Sequence, residues 1–115
     1  MSVTCRITGC KAAIPAELET HELCLVHFTL DVEWRCNDLR LEAREASDAR
    51  RGEIKQFIAE HGALLAHIAT SSPRLPDEQK ARILSTFLTL MNLRESVERA
   101  AARLATAPSP STAKA

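Results

Sequence analysis

The sequence predicts a mainly α-helical protein, with a short N-terminal loop followed by a long-helix hairpin or three-helix bundle. Apolar residues recur at spacings of three and four along most of the chain, which is the period of an amphipathic helix. Glycine is scarce at three residues, and aromatic residues make up only 3%, which disfavours a β-sandwich or barrel. A length of 115 residues suits one domain. Within it we expect an N-terminal segment at 1–28, a helical bundle at 23–105 and a disordered tail at 106–115.

The first long helix is predicted to begin near residue 23. Its apolar residues fall on one helical face with steps of three and four, and they are Leu25, Phe28, Val32, Cys36, Leu39, Ala43 and Ala46. This helix is predicted over 23–51, and further apolar residues continue the pattern to about residue 70. Gly52 is the predicted weak point, so the segment 23–70 is either one rod or two helices that break near this glycine.

A third helix is predicted from Pro76 to the start of the tail. The SSPRLP segment at 71–76 interrupts the helical pattern with two prolines. Asp77 and Glu78 then supply the acidic residues that a helix start favours. The first half of this helix, 83–93, is apolar on nearly all sides and needs neighbours on more than one face. We therefore expect self-association, as a homodimer or coiled coil, to supply them.

Charge and hydropathy disfavour several classes of function. Fifteen basic and fifteen acidic side chains cancel, whereas a nucleic-acid-binding domain usually carries a basic excess. Within the alternating charges of 40–53, only Arg50 and Arg51 form a basic spot. No apolar run approaches the length of a membrane span, and the N-terminus lacks the pattern of a secretory signal. We therefore expect a cytoplasmic protein with reduced thiols and no membrane contact.

Four residues near the N-terminus carry the spacing of a zinc site, in the pattern C-x4-C-x13-C-x2-H. They are Cys5, Cys10, Cys24 and His27. Four cysteines could form two disulfides, but in a reducing compartment clustered cysteine and histidine indicate metal ligands. A turn at Gly9 can bring the first pair together, and the second pair, at i and i+3, shares one face of the opening helical turn. Because four ligands leave no open position, we predict one structural zinc ion.

The segment CRITGCKAAIPAELETHELCLVHF, residues 5–28, resembles the C-x4-C…LC-x2-H-[FY] zinc motifs of small bacterial and phage proteins. Those motifs form treble-clef or knuckle-like fingers, whose second ligand pair opens a helix. The segment departs from the common form in a longer spacer, and it has Glu22 where a glycine usually precedes the LC step. Such fingers occur in many contexts, so the resemblance implies zinc but no single function. No resemblance extends to residues 29–115.

Other cysteine and histidine residues have simpler interpretations. Cys36 lies on the apolar stripe of the first helix, which predicts a buried thiol rather than a ligand. His21 is the rival of His27 as the fourth ligand. His61 and His67 are six residues apart, which does not place a metal-binding pair on one helical face, so we expect them at the helix surface or the core edge.

These features favour a non-enzymatic, zinc-stabilised helical module for protein interaction or regulation, which self-associates or binds an unidentified protein. Trp34, the only tryptophan, either covers the core or the zinc loop or contacts a partner. The alternative is a nucleic-acid-binding regulator that uses the finger, although Arg6 and Lys11 are offset there by three glutamates. A small metalloenzyme would need an open zinc position, with water in place of His27. The sequence has no Gly-rich phosphate loop and no nucleophile elbow.

Overall fold

The computed structural model describes residues 4–72 and 74–106, without the side chains of 105 and 106. Over these ranges the chain forms a short 3-10 helix and three α-helices, with bounds Ala16–His21, α1 Leu25–Ala43, α2 Asp48–Ser71 and α3 Asp77–Thr106. An isolated antiparallel bridge joins Thr4 to Ala13. The predicted mainly helical fold, with a short N-terminal segment leading into packed long helices, is confirmed. The predicted disordered tail lies outside the described residues apart from Thr106.

Helices α1 and α3 run parallel to each other, and α2 runs antiparallel to both. Two hydrogen bonds join α1 to α3, between Thr29 and Arg82 and between Glu33 and Thr86, so residue numbers rise in the same direction along both helices. Side-chain contacts between α1 and α2 run in opposite order, from Phe28–His61 to Glu42–Arg50. The N-terminus of α1 therefore lies at one end of the bundle, and α1 and α3 both run toward the other end, where α3 extends past the end of α1.

The core is built from one face of each helix. On α1 the predicted stripe is buried at every position except Leu39, which is half-buried and still packs against the core. Each fully buried aliphatic or aromatic side chain contributes about 1.5–3 kcal/mol of stabilisation, so this face is the main source of helix stability. The largest of these side chains on the other elements are Leu18, Ile54, Leu65, Ile68, Leu90, Leu93 and Val97. None of the helices in the described ranges combines the length and the apolar character that crossing a membrane requires.

The predicted helix over 23–51 is wrong at its C-terminal end. The chain forms two helices, and the break lies at 44–47 rather than at Gly52, which sits inside α2. Ser47 is the reason, because it has an extended backbone and its hydroxyl accepts a hydrogen bond from the Arg50 N–H at 3.1 Å. A serine in this N-cap position satisfies a donor that the first turn of a helix leaves unpaired. The local capping chemistry thus overrides the continuous apolar period.

Two arginines stabilise the α1–α2 connection. Arg51 is buried, donates a hydrogen bond to the Ala46 carbonyl oxygen at 2.5 Å and pairs with Asp48. Arg50 donates two hydrogen bonds to the Glu42 carboxylate, at 2.5 and 3.1 Å. Both guanidinium groups are therefore neutralised within the bundle, and the basic spot that the sequence indicated here does not present unpaired charge.

Candidate metal centre

The first pair of candidate ligands lies on a tight N-terminal turn. Gly9 has a φ of 84°, in the left-handed region that favours glycine. The Cys10 N–H donates a hydrogen bond to the Ile7 carbonyl oxygen at 2.9 Å, which closes the turn. The turn that the sequence predicted at Gly9 is present, and it brings the sulfurs of Cys5 and Cys10 to one place.

The second pair opens helix α1. Cys24 is the N-cap residue, with an extended backbone, and its Sγ accepts a hydrogen bond from the His27 N–H at 3.5 Å. The partial positive charge at a helix N-terminus favours a negatively charged sulfur in this position. The i, i+3 spacing also places His27 Nδ1 3.3 Å from the Cys24 sulfur.

The four ligand atoms of Cys5, Cys10, Cys24 and His27 all lie within 4.8 Å of one another. His27 Nδ1 is 3.3 Å from the Cys5 and Cys24 sulfurs, and the Cys10 and Cys24 sulfurs are 3.9 Å apart. A tetrahedron with metal–sulfur bonds near 2.3 Å and a metal–nitrogen bond near 2.0–2.1 Å has edges of about 3.8 Å between sulfurs and about 3.6 Å between sulfur and nitrogen. The cluster is therefore already close to the geometry that would hold one metal ion.

All four cysteines of the chain are free thiols. The 3.9 Å between the Cys10 and Cys24 sulfurs is nearly twice the length of a disulfide bond, so the two-disulfide alternative is not adopted. Cys36 is separate from the cluster and buried on α1, as predicted. Burial raises the pKa of the Cys36 thiol to about 11, which keeps it protonated and unreactive.

The thiols of the cluster differ in their tendency to ionise. Burial opposes ionisation of Cys5, but hydrogen bonds with the backbone of Cys24 and Ile7 and with the side chains of Cys10 and His27 together outweigh it and lower the pKa of this thiol to about 6. Burial raises the pKa of Cys24, and the neighbouring sulfurs of Cys10 and Cys5 raise it further. Because closely spaced thiolates repel one another, a bound cation would be needed to ionise all of them together.

The backbone just before α1 is strained at Glu22. This residue has a φ of 58° and a ψ of 30°, a left-handed conformation that is unfavourable for a residue with a side chain. It lies at the position where the similar bacterial zinc motifs usually have a glycine. The Glu22 carbonyl oxygen accepts a hydrogen bond from the Arg6 N–H at 2.8 Å, which joins the N-terminal turn to the segment that leads into α1.

His21 lies outside the cluster of ligand atoms. Its ring packs edge-on against Phe28, with centroids 5.0 Å apart, and lies 6.3 Å from the ring of His61. The imidazole nitrogen that the fold brings to the three sulfurs is therefore that of His27 and not that of His21. His61 and Phe57 complete this ring cluster, with centroids 4.0 Å apart.

His61 occupies the core edge, which is one of the two positions predicted for it. Burial lowers the pKa of its imidazole, and the hydrogen bond between its Nδ1 and the Phe57 carbonyl oxygen, at 2.8 Å, opposes this only in part. The charged and titratable groups that also act on it are Arg35, His21 and Glu60.

Glu17 ties the 3-10 helix to the C-terminal end of α2. Its carboxylate accepts a hydrogen bond from the Ser71 hydroxyl at 2.6 Å and lies 3.6 Å from His67 Nε2. The serine hydrogen bond is the main cause that lowers the pKa of Glu17. His67 lies at the surface, as predicted. Sequence reasoning missed this tie, since its partners are fifty or more residues apart and no local spacing links them.

Trp34 is 74% exposed on α1, so it covers neither the core nor the metal cluster. It forms an exposed apolar line on this helix with Leu30 and Leu41. Its predicted role as a partner contact stays a prediction.

Comparisons of the chain with protein-family models, with curated proteins and with solved structures find no match. The resemblance of residues 5–28 to bacterial zinc motifs therefore has its support in the ligand spacing and in the geometry of the cluster.

Proposed function

We propose that the protein is a non-enzymatic, zinc-stabilised helical module that self-associates. The observation that carries the proposal is the cluster of three sulfurs and one imidazole nitrogen at the edge distances of a tetrahedron. Thiolate and imidazole ligands favour zinc, and a closed set of three cysteines and one histidine is typical of its structural sites. With four protein ligands no position would remain for water or substrate, so the ion would act on structure alone.

The ion would attach the N-terminal turn to α1. Residues 6–9 of this turn are all exposed, and the turn buries little apolar surface of its own. Apart from Cys5, its attachment depends on a few backbone hydrogen bonds, such as that from Arg6 to Glu22. Because a metal that binds only the folded arrangement adds its binding free energy to folding, zinc would convert this weak contact into a stable one.

Elemental analysis together with X-ray absorption spectroscopy tests the metal assignment. We expect one zinc ion per chain, with three sulfur ligands near 2.3 Å and one nitrogen ligand near 2.0–2.1 Å. An oxygen ligand from water would contradict the structural role, because it would mean an open position. Purified protein that neither carries zinc nor takes it up would contradict the metal assignment itself.

The support for self-association is an exposed apolar stripe on α3. Leu84, Leu88 and Met91 are spaced four and three residues apart, so they lie on one helical face, and they are 62%, 58% and 50% exposed. This is the helix whose first half was predicted to need neighbours on more than one side. The core of the bundle covers only one of those sides, which leaves the stripe for another chain.

The charges at the two ends of the stripe suit a second copy of the same helix. Lys80 lies one turn before Leu84, and Glu95 lies one turn after Met91. In an antiparallel pair with its two-fold axis between residues 87 and 88, Leu84 would face Met91 of the second copy, and Lys80 would face Glu95. An isologous contact of this kind closes on itself as a dimer.

Size-exclusion chromatography with light scattering tests this arrangement, and charge reversal makes it specific. Lys80→Glu should weaken the dimer, because it places like charges opposite each other, and Lys80→Glu with Glu95→Lys should restore it. Each pair is worth about 0.2–1 kcal/mol, and the symmetric dimer has two such pairs. Leu88→Glu should abolish association, whereas Leu104→Glu, on the same helix outside the stripe, should not.

A monomer at all concentrations would contradict self-association. A dimer that tolerates Leu88→Glu would contradict the choice of α3. Emission of Trp34 reports on α1, and an emission change on dimerisation would assign the contact to the α1 line.

A further inference from the structure

A groove between α1 and α3, at the end of the bundle away from the metal cluster, has an unusual lining. It contains two adjoining cavities, of about 390 and 160 Å³, which share Arg40. The larger cavity is lined by Arg40, Leu41, Arg44, Ser96, Arg99 and Arg103. The smaller one adds the side chains of Asn37, Thr89 and Asn92. Every polar side chain in both linings can donate a hydrogen bond, and neither lining includes a carboxylate.

The four arginines form a regular array. Arg40 and Arg44 are four residues apart on the α1 side, and Arg99 and Arg103 are four apart on α3. Residues at i and i+4 share a helical face and lie about 6 Å apart along the axis. All four side chains line the same cavity of about 390 Å³, so their guanidinium groups face one shared space.

Most of this charge is not balanced by the protein. Within the described part of the chain, Arg40, Arg44 and Arg103 form no ion pair, and Arg99 pairs only with Glu95. In contrast, Arg50 in the α1–α2 connection is satisfied by carboxylates.

The helix dipoles account for only part of this excess. The C-terminal ends of α1 and α3 both lie here, and basic residues in a last turn are favourable. Each helix end carries about half a negative charge, so the two ends together offset roughly one of the four guanidinium charges. With Glu95 counted as well, about two positive charges remain in the groove without a partner.

We infer that this groove binds a compact polyanion, a small molecule that bears two or more phosphate groups. Guanidinium groups bind phosphate oxygens in bidentate fashion, and the amide and hydroxyl donors of Asn37, Asn92 and Ser96 would complete the coordination. All four arginines line a single cavity of about 390 Å³, and no aromatic side chain lines it, which disfavours a long single-stranded nucleic acid. The inference goes beyond the proposed function and does not depend on it.

Isothermal titration calorimetry of the full-length protein at low salt tests the site, with inorganic triphosphate as the probe. Metal content is measured before and after the titration, because triphosphate can also chelate zinc. We expect saturable binding of one triphosphate per chain, weaker binding of monophosphate, and loss of affinity as salt is added. Arg44→Gln with Arg103→Gln should raise the Kd at least about tenfold, since two charge-assisted contacts are removed.

The matched control is Lys55→Gln with Arg94→Gln, which removes the same net charge from the groove between α2 and α3. The control should change the Kd by less than about twofold, and circular dichroism should show that both double variants keep their helices, as expected for exposed sites. Absence of saturable binding, or equal weakening by the two double variants, would overturn the inference. Tighter binding of a short DNA duplex with the same dependence on Arg44 and Arg103 would overturn the small-molecule assignment.

Discussion

Replacement of Cys10 by alanine is expected to remove the metal while leaving the helical core intact. Cys10 is only half-buried and lies in the N-terminal turn, so the loss of its sulfur opens no cavity among the helices. Three ligands would remain, and the affinity for zinc should fall sharply. The effect on stability should therefore come from the metal and not from packing.

The magnitude follows from mass action. With free zinc at about 1,000 times its Kd, binding to the folded state alone stabilises it by about 4 kcal/mol. If Cys10→Ala abolishes binding, the variant loses that amount, and the packing loss of one half-exposed sulfur adds less than about 1 kcal/mol. For a domain of this size, 4 kcal/mol corresponds to a fall in Tm of roughly 15 °C.

Elemental analysis and thermal unfolding at a fixed free zinc concentration measure this effect, and Cys36→Ala is the matched control. Cys36 is 2% exposed in the helical core, so its replacement should cost about 1–2 kcal/mol through lost packing. It should nevertheless leave one zinc ion bound. Both variants replace a cysteine by alanine, so their comparison separates the effect of losing the metal in Cys10→Ala from the effect of losing core packing in Cys36→Ala.

A Cys10→Ala variant that kept a full equivalent of zinc and the Tm of the unaltered protein would refute the assignment of Cys10 as a metal ligand. A loss of zinc in Cys36→Ala, with Cys10→Ala unaffected, would exchange the roles of the two cysteines. Chelation of the metal from the unaltered protein should reproduce the Cys10→Ala result, because both remove the same ion.

Further perturbations test other parts of the structure. Glu22→Gly should stabilise the fold by about 0.5–1 kcal/mol in chemical denaturation, because glycine relieves the left-handed backbone; destabilisation would contradict that conformation. Arg51→Ala should cost about 2–3 kcal/mol by the same assay, since a buried guanidinium bonded to Ala46 and Asp48 is lost; a neutral result would show that the connection does not depend on it. Because the pKa of His61 is lowered in the folded protein, its imidazole takes up a proton more readily in the unfolded chain. The free energy of unfolding should therefore fall as the pH drops below about 6.5, by at most about 1.4 kcal/mol per pH unit. The stability difference between the unaltered protein and His61→Gln should therefore shrink from pH 7.5 to about pH 5.5, and a constant difference would contradict the burial of a neutral imidazole.

Much of the candidate metal centre could be predicted because it depends on local spacing. The turn at Gly9 and the helical turn from Cys24 to His27 each bring two candidate ligands together over a few residues. The burial of Cys36 likewise follows from its place on an apolar helical face. In each case the relevant geometry is set by the backbone of one short segment.

The end of α1 was mispredicted although its signal is also local. The apolar period continues through Ala43 and Ala46, and both are buried, so periodicity alone does not reveal a break between them. Ser47 ends the continuity by capping a new helix. Periodicity identifies the side chains that face the core, but the hydrogen bonds at helix ends decide where a helix stops.

The sequence by itself determined the helical class, the ligand spacing and the apolar faces, because these depend on residues within one or two helical turns of each other. Only the tertiary structure decided which distant faces meet. It paired Arg50 of α2 with Glu42 of α1, and it brought Arg44, at the end of α1, and Arg103 of α3 into one groove. Net charge and local patterns do not contain this information, because electrostatic fields depend on distances in space that packing between helices sets.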